Sequence, residues 1–139
     1  MKLAWGAEDI AVPAAMKLLG FDRDFGNCVT ATVLTENDAL AAIIVFHNYC
    51  PDAAVIEISA AAVTPRWAQR SVLREAFGYA FANCQMVVSR TSAENATVRK
   101  LWKAFGADEV VIPRLRGRDE AECIITLTDD AWAASKFAR

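Results

Sequence analysis

The sequence has little of what builds a metal site or a disulfide framework. It contains one histidine and four cysteines in 139 residues. Cys28, Cys50, Cys84 and Cys123 form no C-x-x-C pair, and His47 has H-x-x-C spacing with Cys50 but no second pair to complete a zinc site. We therefore expect no bound metal, and we expect the cysteines to be reduced, buried and packed as small hydrophobic residues.

Long apolar runs and an excess of charge are also missing. The longest apolar run, residues 39–46, is far too short to cross a bilayer. The first residues, MKLAWGAEDIAV, carry acids where a signal peptide needs an uninterrupted apolar core. We expect a cytoplasmic protein with no membrane partner. Because the net charge is −2, the molecule as a whole does not attract nucleic acids, and any anion site must be local.

The remaining composition, 55% hydrophobic and 23% charged, is typical of a folded globular protein, and the length fits one domain spanning residues 1–139. Hydrophobic periodicity predicts strands at 1–5, 29–35, 39–48, 54–63, 85–91, 109–113 and 122–128. It predicts helices at 9–19, from 66 onward, from a cap at Ser92 to Gly106, and in the last residues. Short connections predict an antiparallel meander of the second to fourth strands. The helix after residue 66 makes the strands on either side parallel neighbours, so the fold class is α/β.

Three arginines lie at the start of the helix that follows the fourth strand. Arg66, Arg70 and Arg74 are spaced by four and would share one face of that helix. Cations are unfavourable at a helix N-terminus unless an anion is bound, and free backbone amides there form a natural phosphate site. The arginines therefore indicate either a phosphate or pyrophosphate site or a solvated basic face paired with Glu75.

A carboxylate lies in the middle of the preceding strand, within VIEIS. Ile56 and Ile58 point to one face, and Val55, Glu57 and Ser59 to the other. A carboxylate in a strand covered on both faces is costly unless it is paired, and burial raises the pKa of such a group toward that of a useful base. Glu57 is therefore either a catalytic base or an ion-paired residue at an edge.

These segments in this order resemble the Gcn5-related N-acetyltransferase (GNAT) superfamily over nearly the whole chain. The local similarity is greatest to the branch that includes the ribosomal-protein alanine acetyltransferases, through VIEIS, PRWAQRSVL, GYAF, QMVVSRT and AENATVRKLWKAFG. A weaker similarity is to small acetyltransferase-like proteins of bacteriophages and prophages. The resemblance implies the GNAT fold, a mixed and mostly antiparallel central sheet whose two parallel central strands splay apart between flanking helices.

The resemblance also implies acetyl-CoA as the cofactor, held between the splayed strands. Its pantetheine would lie along the end of the fourth strand, at Ala61, Ala62 and Val63, with Asn95 contacting the same arm. Its pyrophosphate would lie at the start of the next helix, near Arg66, Trp67, Ala68, Gln69, Arg70 and Ser71. Trp102 occupies the position where many members carry a tyrosine acid.

The sequence departs from the family pattern at both ends of that site. In the family's phosphate loop, the position of Trp67 holds glycine and the position of Gln69 holds glycine or alanine. Glycine allows the backbone to approach a phosphate closely, so side chains here add bulk. Trp102 offers only an indole N–H, a very weak acid, in place of a phenol. Either the arginines compensate by direct charge-assisted bonds, or the loop no longer binds CoA.

The implied function is acetyl transfer from acetyl-CoA to an amine of unknown identity, on a small molecule or a protein. Glu57 is the candidate general base and Ser59 a second polar group in the cleft. His47 and Trp5 are candidates for binding the acceptor, against the alternative that both only pack.

Two further interpretations stay open. One is a catalytically silent member of the same fold that acts as a binding or accessory protein. The other is an acyltransferase that modifies nucleic acids, which the net charge disfavours. We expect Trp132 and Phe137 to dock on the domain itself or on a second subunit, as in a homodimer.

Overall fold

The computed structural model describes residues 1–139 and contains seven strands and four helices. The strands are β1 (Lys2–Trp5), β2 (Cys28–Leu34), β3 (Leu40–Cys50), β4 (Val55–Ala62), β5 (Met86–Ser92), β6 (Asp108–Ile112) and β7 (Glu122–Thr128). The helices are α1 (Glu8–Leu19), α2 (Arg70–Phe81), α3 (Ala96–Ala104) and α4 (Asp129–Ala134), and a short 3-10 turn spans Pro65–Trp67. None of the helices has the length and hydrophobicity needed to cross a bilayer.

All seven strands form one sheet in the order β1-β2-β3-β4-β5-β7-β6. From β1 to β4 each strand is antiparallel to the next, β4 and β5 are parallel, and the pairs β5–β7 and β7–β6 are again antiparallel. The predicted antiparallel meander and the parallel central pair are therefore both confirmed. This is the mixed, mostly antiparallel sheet with two parallel central strands that the resemblance implied.

The two faces of the sheet are covered by different elements. On one face, α1 packs Ala11 and Ala15 against Ile43, Val45 and Ala61 of β3 and β4. We call this the α1 face. The opposite face carries the larger part of the core, where apolar residues of α2, α3 and α4 pack on the sheet. We call this the aromatic face because its helices contribute a cluster of rings.

The ring cluster holds the C-terminal segment on the rest of the protein. Phe77 of α2 lies 5.6 Å from the ring of Trp102 and 4.5 Å from the ring of Trp132. Phe105 contacts Phe137 with ring centroids 5.3 Å apart. Trp132 and Phe137 thus pack on the chain's own helices, which is the first of the two alternatives predicted for these side chains.

The helix after β4 begins later than its apolar pattern predicts. Pro65 fits the first position of a 3-10 turn, and Thr64 caps that turn by accepting a hydrogen bond from the N–H of Arg66 at 3.3 Å. The chain then passes through an extended Gln69 before α2 starts at Arg70. Arg66 therefore lies outside α2, and the prediction that three arginines share one face of this helix was wrong.

Three other local predictions were also wrong. Asn95, not Ser92, caps α3, because its carboxamide oxygen accepts the N–H of Val98 at 3.2 Å. The strand predicted at 39–48 ends later, because β3 continues to Cys50 with an irregularity at Asn48, which has a φ of 51°. All four cysteines are free thiols, but only Cys84 and Cys123 are buried, whereas Cys28 is half-buried and Cys50 is exposed.

Candidate active site

The two parallel strands in the middle of the sheet separate after a short contact. They pair only from Val55 with Met86 to Glu57 with Val88. Beyond that point β4 stays paired with β3 as far as Ala62, and β5 stays paired with β7 as far as Ser92. The result is a wedge-shaped gap in the sheet that widens toward the ends of both strands.

A cavity of about 760 Å³ occupies this gap. On the aromatic face, its walls come from Trp67, Ala68, Val98, Leu101 and Trp102. On the α1 face, they come from Leu18, Leu19, Phe21, Arg90 and Arg116. Because residues of both faces contribute, the cavity passes through the plane of the sheet between β4 and β5.

The cavity contains about half of the residues predicted to hold the cofactor. It is lined by Ala62, Val63, Trp67, Ala68, Asn95 and Trp102. The Trp67 indole forms part of the wall and leaves the gap open. Trp102 is buried within the ring cluster, edge-on to Phe77, so its indole is a packing group as much as a cavity wall.

The other predicted cofactor residues lie outside the cavity walls. Ala61 is only 2% exposed and packs on the α1 face, because it points to the opposite side of β4 from its two alanine neighbours. Arg66, Gln69, Arg70 and Ser71 are exposed at the 3-10 turn and the start of α2. They stand beside the cavity entrance, where Val63, Thr64 and Pro65 line the cavity.

Backbone hydrogen bonds already occupy part of the predicted phosphate site. The N–H of Trp67 donates to the carbonyl of Thr64 at 3.3 Å, and the N–H of Gln69 donates to the carbonyl of Trp67 at 2.8 Å. The first N–H groups of α2, beginning with Arg70 and Ser71, have no acceptor within the helix. They are the amides that remain for an anion at this end of the cavity.

A cluster of polar side chains lies on the α1 face at the point where β4 and β5 separate. His47 lies opposite Glu57 in the β3–β4 register, and Ser59 follows on the same face. His47 Nε2 is 2.9 Å from Ser59 Oγ and 3.7 Å from Glu57 Oε2. Asn48 Nδ2 donates to Glu57 Oε1 at 3.1 Å, and Arg90 Nε lies 3.8 Å from the same oxygen.

Of the polar side chains that β3 and β4 contribute here, which are His47, Asn48, Glu57 and Ser59, only Ser59 lines the cavity. His47 is 6% exposed and lies behind the wall, with the ring of Phe25 edge-on at 5.0 Å. Burial lowers the pKa of His47 below its ordinary value, and the nearby Glu57 carboxylate opposes part of that change. The imidazole is therefore neutral near pH 7 and has one ring nitrogen available as an acceptor.

Two arginines of the cavity wall were not predicted. Arg90 Nη1 lies 3.7 Å from Glu122 Oε2, and Arg116 donates to Glu122 and Glu120 at 3.3 Å. Side chains alternate along β5, so the pairing of Val88 with Glu57 places Arg90 on the same face as Glu57. That pairing could not be predicted from the sequence. Arg116 comes from the loop between β6 and β7, and no residue pattern predicts where that loop lies relative to the cavity.

Trp5, the second candidate for acceptor binding, lies away from the cavity. Its indole Nε1 donates to Glu75 Oε1 of α2 at 2.9 Å. Its ring packs against Phe46 at 5.6 Å and Tyr79 at 4.8 Å. Trp5 therefore joins β1 to α2, and Glu75 is bonded to this indole. No group of three or more histidine, cysteine, aspartate or glutamate side chains is placed to hold a metal ion.

Comparisons with known proteins identify the fold by structure. No family model and no curated protein sequence matches the chain. A mutant of the spermidine N-acetyltransferase SpeG from Vibrio cholerae superposes with a TM-score of 0.75 at 11% identity, over 96% of this chain and 98% of that chain. Other mutant forms of that enzyme give 0.75 at 13% identity, over 94% and 97% of the two chains.

A third similar structure contains ligands. The Vibrio cholerae spermidine N-acetyltransferase in complex with CoA and spermine superposes with a TM-score of 0.64 at 14% identity, over 77% of this chain and 69% of that chain. At these identities the similarity shows the shared fold, a mixed sheet with flanking helices of the GNAT type.

Proposed function

We propose that this protein is an acetyl-CoA-dependent N-acetyltransferase that acts on an amine. The observation that carries the proposal is the cavity that passes through the sheet where β4 and β5 separate. Its two sides differ in charge, because the aromatic face contributes mainly aromatic and apolar residues, whereas the α1 face adds Arg90 and Arg116 to apolar residues of α1 and the loop after it. A thioester and an amine could therefore enter from opposite faces and meet between the strands.

The cofactor's arm would lie against the end of β4, where Ala60 and Ala62 leave room beside the backbone. Its diphosphate would lie at the start of α2, on the free amides and the guanidinium of Arg70. Asn95 uses its carboxamide oxygen to cap α3, so its nitrogen is the group left to contact the arm. The fold neighbour solved with CoA and spermine supports both the cofactor and the type of acceptor.

In this proposal Glu57 is the carboxylate that drives removal of the amine proton, directly or through a group that lies between it and the cavity, and Ser59 is the polar group beside the reacting atoms. An attacking amine must lose a proton, and a carboxylate that has few water neighbours can accept one. Glu57 is 15% exposed and is held by Asn48. Among families of this fold, the VIEIS and GYAF segments favour the branch of alanine acetyltransferases as the nearest relatives.

A second candidate function, a silent binding protein of the same fold, has its own support. Two of the amides in the phosphate loop, those of Trp67 and Gln69, are already bonded within the 3-10 turn. Trp102, buried in the ring cluster, has no acidic proton to give a leaving thiolate. Both features are expected of a domain that has kept the fold and lost the cofactor.

Thermal unfolding with added CoA distinguishes the two functions. Binding at a hundredfold excess over the dissociation constant stabilises a one-site protein by about 2.7 kcal/mol. We expect such a shift for the natural sequence and its loss in Ala60→Leu, which puts a larger side chain into the cavity. Ala82→Leu, at the exposed end of α2, is the matched control and should keep the shift. No shift at millimolar CoA would leave the silent protein as the better conclusion.

A further inference from the structure

The three side chains that could take a proton from an acceptor differ in their access to the cavity. Ser59 lines the cavity, and His47 is buried behind Ser59. Glu57 lies two residues before Ser59 on the same face of β4, opposite His47. His47 Nε2 contacts both of the others, at 2.9 Å to Ser59 Oγ and 3.7 Å to Glu57 Oε2. Side-chain contacts connect the cavity to the Glu57 carboxylate through Ser59 and His47, and also through Arg90, whose guanidinium cannot accept a proton.

We propose that Ser59 and His47 form a proton relay from the acceptor amine to a histidine–carboxylate pair completed by Glu57. This inference rests on the proposed acetyl transfer and deepens it. It makes Ser59 the residue that touches the amine and His47 the first group to hold its proton. Glu57 then acts through His47 instead of touching the amine.

The relay requires one particular tautomer of the histidine. Ser59 can pass its hydroxyl proton to His47 only if Nε2 is unprotonated, so the neutral ring must carry its proton on Nδ1. The burial of the ring favours the neutral form that the relay needs at rest. Glu57, on the same side as Nε2, then stabilises the imidazolium that forms when the proton arrives.

The chemical step balances with these groups alone. The nitrogen lone pair of the neutral amine attacks the thioester carbon, the π electron pair of the carbonyl moves onto its oxygen, and the nitrogen becomes positively charged. One N–H bond breaks as its proton moves to Ser59 Oγ, while the Ser59 O–H proton moves to His47 Nε2. The oxygen's electron pair then re-forms the carbonyl as the carbon–sulfur bond breaks, and sulfur leaves with the bonding electron pair as a thiolate. The proton on His47 afterwards passes to solvent or to the thiolate, which restores the neutral ring.

Magnetic resonance of the histidine ring tests the relay without any knowledge of the acceptor. His47 is the single histidine of the chain, so long-range ¹H–¹⁵N spectra of its ring are assigned without ambiguity. We expect the pattern of a neutral ring protonated at Nδ1 near pH 7, and we expect Ser59→Ala to disturb it. Ser135→Ala, which removes a hydroxyl in the C-terminal segment, is the control and should leave the ring signals unchanged. A ring protonated at Nε2 would overturn the relay.

Kinetics provide the second test. Release of free CoA thiol from acetyl-CoA is followed with spermidine, spermine and the common amino acids as acceptors. Ser59→Ala and His47→Gln should each lower kcat on the order of 10²-fold, the usual contribution of a proton-transfer group, with the CoA-induced thermal shift unchanged. Ser59→Thr keeps a hydroxyl and should recover part of the rate.

The two proposals fail in different ways. Absence of any CoA-induced shift contradicts the acetyltransferase itself. A normal CoA shift with full turnover in Ser59→Ala contradicts the relay and leaves the acetyltransferase in place. If CoA binds and none of these amines reacts, the ring tautomer decides the relay by itself.

Discussion

At the scale of single residues, the two oxygens of Glu57 have different partners. Oε1 accepts from Asn48 and faces Arg90, while Oε2 faces the His47 ring. The first set holds the carboxylate in place, and the second connects it to the cavity through Ser59. A neutral amide of the same shape would keep the position and lose the charge.

We therefore predict that Glu57→Gln lowers kcat for acetyl transfer on the order of 10²-fold or more and leaves CoA binding unchanged. The measurement is thiol release at saturating acetyl-CoA, beside the thermal shift with CoA. Glu36→Gln removes a carboxylate from the exposed turn between β2 and β3 and should change neither quantity. Equal turnover of Glu57→Gln and the natural sequence would remove Glu57 from the mechanism.

The residue pattern predicted part of this site for a clear physical reason. Alternation along a strand fixes which side chains share a face, and the structure confirms that Glu57 and Ser59 share one while Ile56 and Ile58 share the other. The same logic places Ala61 on the α1 face, although the family resemblance assigned it to the cofactor. Trp5 could not be located from sequence, because Glu75, which accepts the hydrogen bond of its indole, belongs to α2, seventy positions away.

At the scale of elements, two glycines occupy opposite situations. Gly106 ends the α3 region with a φ of 99°, and a Cβ there would come within 3.3 Å of the carbonyl oxygen of Ala131. Gly78 lies within α2, and a Cβ there would meet open space. The same substitution should therefore have opposite effects at the two positions.

We predict that Gly106→Ala lowers the free energy of unfolding by about 1–3 kcal/mol, because the new residue must hold a left-handed backbone conformation beside α4. Gly78→Ala should raise it by about 0.5–1 kcal/mol, because alanine loses less conformational entropy in a helix. Chemical denaturation of the two variants and the natural sequence measures both. A stabilised Gly106→Ala would contradict the packing described for α4.

Hydrophobic periodicity predicted the positions of the strands, but it did not predict the first residues of α2 and α3 correctly. The apolar stripe of Val72, Leu73, Ala76 and Phe77 predicted α2 because burial repeats every three to four residues. The separation of Pro65–Trp67 as a 3-10 turn depends on backbone angles at Ala68 and Gln69, which leave no trace in the apolar spacing. The cap at Asn95 was missed because Ser92 is an equally good capping residue type.

At the scale of the whole molecule, the single histidine makes stability depend on pH. The unfolded chain binds a proton at His47 near pH 6.5, whereas the folded protein, with its lowered pKa, does not. The groups around the ring are Glu57 on β4, Cys28 opposite it on β2, and Arg90 on β5, which contacts Glu57. The unfolded state therefore gains protons first as the pH falls.

We predict that the free energy of unfolding decreases as the pH falls below about 6.5, and that the loss continues until the folded ring is protonated as well. The slope from this one group is at most about 1.4 kcal/mol per pH unit. His47→Gln should flatten the curve between about pH 6.5 and pH 5, as measured by denaturant titration across that range. Parallel curves for the two proteins would show that the histidine is not the cause.

The global arrangement was more predictable than the site it creates. Connection lengths predicted the antiparallel meander of β2 to β4 and the parallel pair of β4 and β5, because a short turn and a helical crossover permit different pairings. The antiparallel pairing of β1 with β2, which are joined by α1, and of β5 with β7 was not predicted. The point where β4 and β5 separate could not be predicted from the residues themselves, because it depends on the twist of the sheet and on the helices packed at both faces. The contribution of Arg116 to the cavity follows from that same separation.

The short contact between β4 and β5 also offers a direct way to observe occupancy. Past Glu57, the backbone groups of β4 that point toward β5 have no strand to bond with. Isotope labelling in heavy water should therefore reach these amides quickly in the free protein, and a molecule that fills the gap should slow the uptake. Deuterium content at Ile58–Ala62 thus reports a bound molecule of any chemistry, before its identity or any turnover is known.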